Sequence, residues 1–537
     1  MDFIPEFNPN EILKKLTVTK IDTDISHLNN NQKKVINLLI KCALVLEDIF
    51  YLQKYPGNLK LKEEILKLND PLILQFYKVM AGPYDHFNDD KPFIKNVKKS
   101  GKSGFYPNDL TKSEWEQLIK KNPDKKDDYI SPYTIIVKKK NSITPVPYSE
   151  YYKKFLVKAY DILQEALEYA DNYSLKSYLS AQANAFLNND FNEADIRWVQ
   201  LINNDIVPLL GAYEFYEDKF LGYKASFTGV IGIKNKSEKN KLDFILKTLD
   251  MLQDKLPIPK HYIKQKRGSI SEIDIVNLIF SSGDTRYPIH AAAFNLPNSH
   301  KIRSQFGSKK VLLYNIMEAK FNSVIFPMTK ILLEDKDQKK ISFFAYFNYI
   351  LMHEISHELG IGFIKNTEGN LQEITYFLKD LYSTIEEAKA DVMGVYFLIF
   401  LQKQSYIIDC SYTEICIVYL VNLIRTIRYG IENAHGLASI IQFNFLKNEE
   451  VFMFDDKKNI ISIDFHKFDK TIEKLLTTIL TFQGEGDYNK LKKFIKDFSK
   501  ISPKLKSYLE LIKDLPIEIL PWFPKAGEKK PIFLKNK

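Results

Sequence analysis

Residues 351–360 read LMHEISHELG. His353 and His357 stand four apart, so on a helix both imidazoles lie on one face about one turn apart, the bite that chelates a single metal ion. Glu354, next to His353, then projects beside that ion. A Zn²⁺ with three protein ligands keeps one position open for water and lowers that water's pKa toward ~7, and an adjacent carboxylate can take the proton. The pentapeptide alone is equally an amphipathic helix with an accidental histidine pair, and the chemistry needs a third ligand.

Thirty residues past His357, STIEEAKADVMGVYFLIF carries Glu387 and Asp391 at i and i+4. That spacing lets a glutamate bind the metal while an aspartate orients a ligand histidine through its free ring N–H. Acidic groups among Val392, Met393, Val395, Tyr396 and Phe397 are costly to bury without a partner, and a metal supplies one. Glu386 sits close behind Ser383 and Thr384, where it reads as a carboxylate favoured by the macrodipole at a helix start.

The chain around these residues has 537 positions, enough for two or three lobes. Residues 1–240 read as a mixed α/β lobe: helical periodicity at 31–68 and 150–188, loops with short strands such as 133–137 between 82 and 149, and a strand over 224–234 (KASFTGVIGIK). Residues 241–505 are mostly long apolar-periodic segments and read as a helical lobe. The tail, 506–537, is Pro-punctuated and irregular and is expected to pack back on the body.

The formal charge of +9 does not announce a nucleic-acid partner. Only six of the 76 basic residues are arginine, and 67 acidic residues are interspersed with them, so the charge reads as solvated surface. Cys42, Cys410 and Cys416 are too few for a disulfide framework; they read as buried small hydrophobes in a reducing compartment. MDFIPEFNPN lacks a signal-peptide pattern, which points to the cytoplasm. The most apolar runs, 392–401 and 415–424, are far short of the ~20 residues that span a bilayer, so no membrane association is expected.

With both helices in place, the chain resembles the dipeptidyl-peptidase III family of zinc metallopeptidases. That family carries HEXXGH, or HEXXH in some bacterial members, followed by an EECRAE-like motif; the counterparts here are HEISH and EEAKAD. Further matches are GAYEFYEDKFLGYKASFTGVIGI, then GDTRYPIH with AAAFNLPNS, then RYGIENAHGLASIIQFNFL, in the family's order, with GFYPNDLT and VPYSEYY. The similarity runs from about residue 31 to 450, in the shorter bacterial and plant branch.

The resemblance implies an α+β, mostly helical, two-lobed metallopeptidase: a helical zinc-carrying lobe, a mixed lobe containing a small β-barrel, and a wide cleft between. It implies one Zn²⁺ per chain on His353, His357 and Glu387, Glu354 as general base, and Asp391 behind a ligand. Glu214, Asn295 and Asn298 would bind the substrate's α-ammonium, and Tyr216 and His435 would stabilise the tetrahedral intermediate. The expected activity is release of dipeptides from the free N-terminus of oligopeptides by attack of zinc-activated water, by a monomer. An extended chain advances at most ~3.3–3.6 Å per residue, so an amine anchor two residues from the zinc presents the second peptide bond. Ser439 stands where some members have an arginine, which bears on substrate length preference.

By residue type alone these additional positions stay open. Glu214 could be an exposed acidic residue between aromatics, and Asn295 and Asn298 flank Leu-Pro, where Asn bonds its own backbone in turns. His435 could cap a helix, although it is one of only nine histidines, and Tyr216 is one of 31 tyrosines. The competing functions are a zinc hydrolase of the same scaffold acting on other peptides or amides, endopeptidase-like, and a non-catalytic peptide-binding protein. Intact Glu354 speaks against the last, since a binder has no use for a base.

Overall fold

Asn29 accepts a hydrogen bond from Gln32 N and returns its own N–H to Gln32 Oε1, a reciprocal cap that launches α1 (Asn30–Lys54). The computed structural model describes residues 1–98, 101–139, 142–263, 272–404, 406 and 409–531. Parts of the expected loops (99–100, 140–141) and of the tail (532–537) lie outside the described residues. The chain divides into two compact units. The first comprises Met1–Asn235, Glu272–Ile316 and Glu518–Lys537, and the second Lys236–Ser271 and Met317–Ile517.

The first unit is built on a five-stranded sheet. Besides β1 (Leu16–Lys20), which lies outside that sheet, its strands are β2 (Ile206–Glu214), β3 (Ser226–Lys234), β4 (Glu272–Gly283), β5 (Ala293–Leu296) and β6 (Lys309–Leu313). Their order is β2-β3-β4-β6-β5, with β4 and β6 parallel and the other pairs antiparallel. The strand expected at 224–234 is β3, but it is buried on both faces rather than on one. α1 and α2 (Lys153–Tyr169) pack together, and α1 lies against β2, β3 and β4. Beyond β5, the Asn298 side chain donates to Tyr213 O at 2.7 Å, tying the two edges of the sheet together at one end. The short strand expected at 133–137 is Thr134–Lys139, paired with Ser142–Pro147.

Two readings are corrected here. The stretch from 272 to 313, read as part of a helical run, supplies three strands of the sheet. The tail is not irregular throughout: β7 (Glu518–Trp522) runs parallel to β1 in register from Leu16↔Glu518 to Lys20↔Trp522.

The second unit is helical. Its centre is formed by α3 (Phe343–Ser356), α4 (Tyr382–Lys403), α5 (Tyr412–Arg428), α6 (Ala434–Asn448) and α7 (Phe465–Glu485). α3 and α4 are apolar almost all round because each is enclosed: Tyr346, Phe347, Tyr349, Leu351, Met352 and Ile355 on α3 are buried, and so is α4 from Ala388 to Val395. Gly394 lets the two axes approach; a Cβ there would lie 3.0 Å from His353 N and 3.1 Å from Met352 C. Cys42 and Cys416 are buried as expected, whereas Cys410 is only partly so. Among the described residues no helix is long and apolar enough to cross a membrane.

Candidate metal centre

The Ser342 side chain caps α3 by accepting from Ala345 N, and the helix carries His353 in its last turn with His357 as its C-cap, still in right-handed helical geometry. Glu387 enters from α4. One nitrogen of each histidine and one oxygen of Glu387 converge. The Nε2 atoms of His353 and His357 are 3.2 Å apart, and Glu387 Oε2 stands 3.3 Å from the first and 3.7 Å from the second.

The hydrogen bonds on the far side of each ring turn both Nε2 atoms toward one point. His353 Nδ1–H donates to Asp391 Oδ1 at 2.8 Å, and His357 Nδ1–H donates to Glu386 Oε1 at 3.0 Å. A neutral imidazole has a single N–H, so both Nε2 lone pairs face each other and Glu387 Oε2. That oxygen is buried and accepts no hydrogen bond of good geometry. Zn–N bonds of about 2.0–2.1 Å place tetrahedral ligands ~3.3–3.4 Å apart. The three separations match that triangle, so the donor set fits a zinc-sized ion.

Both orienting carboxylates are themselves held. Asp391 Oδ1 also accepts from Tyr349 OH at 2.6 Å, and Asp391 Oδ2 from Gln442 Nε2 at 2.9 Å. Asn422 donates to Tyr349 and Tyr419 to Gln442, so α3, α4, α5 and α6 all bear on one histidine. Glu386 pairs with Lys389 at 2.7 Å and accepts from Gln483 on α7 at 3.1 Å.

Burial works against each of these charges. For Glu386, Lys389 and His357 outweigh it and hold the carboxyl down at about 2. For Glu387, His353 and His435 do the same and hold it well below the usual range. Burial disfavours a charged His353, but Asp391 and Glu387 outweigh it, so the pocket favours positive charge where the Nε2 atoms meet.

Glu354 is half-buried on α3, and its charge acts on His353. His435 is the second residue of α6, whose cap Asn433 accepts from Gly436 N. It is largely exposed, and its Nδ1 lies 3.1 Å from Glu387 Oε2. The unit thus gathers His353, Glu354, His357, Glu387, Asp391 and His435 about one centre. Ser439 is buried on the same helix.

Glu386 corrects the sequence reading. It lies in the second turn of α4, which has no side-chain cap at its start, and it serves His357 as Asp391 serves His353. Tyr349, Lys389, Gln442 and Gln483 were also missed. The one available signal was Lys389, a lysine on an apolar helix that needs a buried anion.

The remaining expected residues lie in the first unit, around the end of β2. Glu214 closes that strand opposite Ser226. Among the described residues no cation or hydrogen-bond donor pairs with its carboxylate, and burial alone pushes it up. Tyr216, two residues on, is 76% exposed. Asn298 bonds Tyr213 O rather than its own backbone, which sets it beside Glu214 in the chain path. Asn295 on β5 has a buried Oδ1 without a partner.

The Peptidase family M49 model matches residues 125–372, taking in HEISH and ending before Glu387. The structure of DPP III from Caldithrix abyssi is 37% identical, covers 96% of this chain and 98% of that one, and superposes with a TM-score of 0.92. Dipeptidyl-peptidase III from Corallococcus sp. strain EGB is 29% identical over 97% of each chain, with a TM-score of 0.81. A plant protein named Nudix hydrolase 3, from Arabidopsis thaliana, is 29% identical over 96% of this chain and 73% of its own length. High identity over nearly the whole of a solved relative, together with the two metal-site helices, establishes that the chain belongs to the dipeptidyl-peptidase III family, peptidase family M49, and is a metallopeptidase.

Proposed function

We propose that this metallopeptidase is zinc-dependent and releases dipeptides from the free N-terminus of oligopeptides. The observation that carries the reading is the convergence of His353 Nε2, His357 Nε2 and Glu387 Oε2, each imidazole oriented by its own carboxylate. Zn²⁺ bound there would supply a Lewis acid and an acidified water at an open position.

Glu354 accepts the proton that the attacking water loses, and passes it to the departing amine. His435 and Tyr216 donate to the oxygen that becomes anionic, an effect commonly worth ~2.7–4 kcal/mol per donor. Asp391 and Glu386 hold the two histidines in the tautomer that leaves Nε2 free. Glu214, Asn295 and Asn298 grip the substrate's α-ammonium; the support for this is that Glu214 and Asn295 present acceptors with no partner in the protein.

The test compares one hexapeptide with a free and an acetylated N-terminus. A free amine should be required, with acetylation slowing cleavage at least ~30-fold, the cost of leaving a buried charge unpaired. Equal cleavage of the two would point to an endopeptidase instead.

A further inference from the structure

The turn after β4 carries an acidic residue that the reading above does not use. Gly283 ends the strand with φ +69°, where a Cβ would meet Phe227 O at 2.2 Å. The next residue, Asp284, donates its N–H to Phe227 O at 3.2 Å and is only 8% exposed. Its Oδ2 is buried and accepts no hydrogen bond.

Glu214 pairs with Ser226 across β2 and β3, one residue from Phe227, so both carboxyls flank the same stretch of β3. The charged and titratable groups acting on Asp284 are Glu217, Lys54, Glu214 and Tyr216, with the Ser226 hydroxyl beside it.

The nearby cations are already committed. Lys54 Nζ, with its side chain 1% exposed, donates to Glu217 Oε1 at 2.7 Å and contacts His86 Nε2. His86 in turn holds Asp90, which also pairs with Lys219. Arg286, two residues beyond Asp284, is bound by both oxygens of Glu528 at 2.6 and 2.9 Å. Among the described residues Glu214, half-buried, and Asp284, buried, are therefore left as two carboxyls with no cation bonded to them. Burial first, then the charge of Glu217, pushes the Asp284 carboxyl well above the usual range, against the pull of Lys54.

An alkylammonium has three N–H donors and no acceptor. We propose that Asp284 is a second carboxylate of the amine-binding site, pairing with the substrate's α-ammonium together with Glu214 and so setting the preference for a free N-terminus. The inference rests on the reading that Glu214 grips that amine. In its protonated form Asp284 must first lose that proton: the O–H bond breaks, the proton leaves to solvent, and the carboxylate accepts one ammonium N–H. No oxidation or reduction is involved. The sign for pH follows: below the raised pKa Asp284 keeps its proton and offers no charge to the amine, so KM for free peptides rises as pH falls through it.

The experiment uses the zinc-loaded full chain and the free and acetylated hexapeptides. Asp284→Asn should raise KM for the free peptide about 30-fold or more with little change in kcat, and should flatten the pH dependence of KM. Calorimetry of the free peptide binding to Glu354→Gln protein should show an affinity that the added Asp284→Asn change lowers about 30-fold or more. Unchanged KM and unchanged affinity in Asp284→Asn, in an enzyme that still rejects acetylated peptide, would overturn the assignment to Asp284 alone. Equal use of both peptides by the unsubstituted enzyme would overturn the underlying reading instead. Should Asp284→Asn fail to fold, Asp284→Glu decides in its place: a changed ratio of kcat/KM for the free over the acetylated peptide supports the proposal, and an unchanged ratio defeats it.

Discussion

At the scale of single residues, the candidate metal centre depends on which ring nitrogen of each histidine its neighbours hold. Asp391 and Glu386 each fix an Nδ1–H, and the two Nε2 lone pairs are then free for one ion. Glu386→Gln should weaken zinc affinity about 10–100-fold, read by competition with a fluorescent chelator; affinity equal to the native protein would return Glu386 to a merely helical role. Glu354→Gln should keep one zinc per chain while kcat drops about 10²–10⁴-fold, and undiminished turnover would remove Glu354 as the base. Type and spacing pointed to His353, His357, Glu354, Glu387 and Asp391 once both helices were considered, and the structure brings these residues together. Glu386 was not, since a glutamate near an expected helix start is physically indistinguishable from a dipole-stabilised one until the start is known. Asp284 gave no signal either: its burial comes from Phe227 and Ser226, far away in sequence.

At the scale of elements, the site needs α3 and α4 at close range. Gly394 is the contact point, so Gly394→Val should force the helices apart, costing about 1–3 kcal/mol of stability and lowering metal affinity together. A variant with unchanged melting temperature and full zinc content would show that this approach is not critical. The helical periodicity of the second unit was readable because α3 and α4 are long. β4 was not: EIDIVNLIFSSG is buried along most of its length on both faces, so it lacks the alternation that separates a strand from a buried helix segment. The parallel pairing of β7 with β1 joins residues some 500 positions apart, and no local pattern encodes it.

At the scale of the whole molecule, the chain passes from the sheet unit into the helical unit and back twice, the second return ending on β7 beside β1. That path explains why a sequence split near residue 240 sets β4, β5 and β6 apart from β2 and β3, the strands they join in the sheet. Each unit carries its own half of the proposed chemistry. The helical one holds the metal ligands and the base, and the sheet unit holds unpaired acceptors suited to an amine. The proposed activity is hydrolysis of the second peptide bond of a free peptide. Its most direct measurement is a mass-spectrometric time course of the zinc-loaded protein acting on a heptapeptide of seven different residues with a free N-terminus. The account predicts the N-terminal dipeptide and the complementary pentapeptide as the first products; single amino acids or internal fragments appearing first would contradict it.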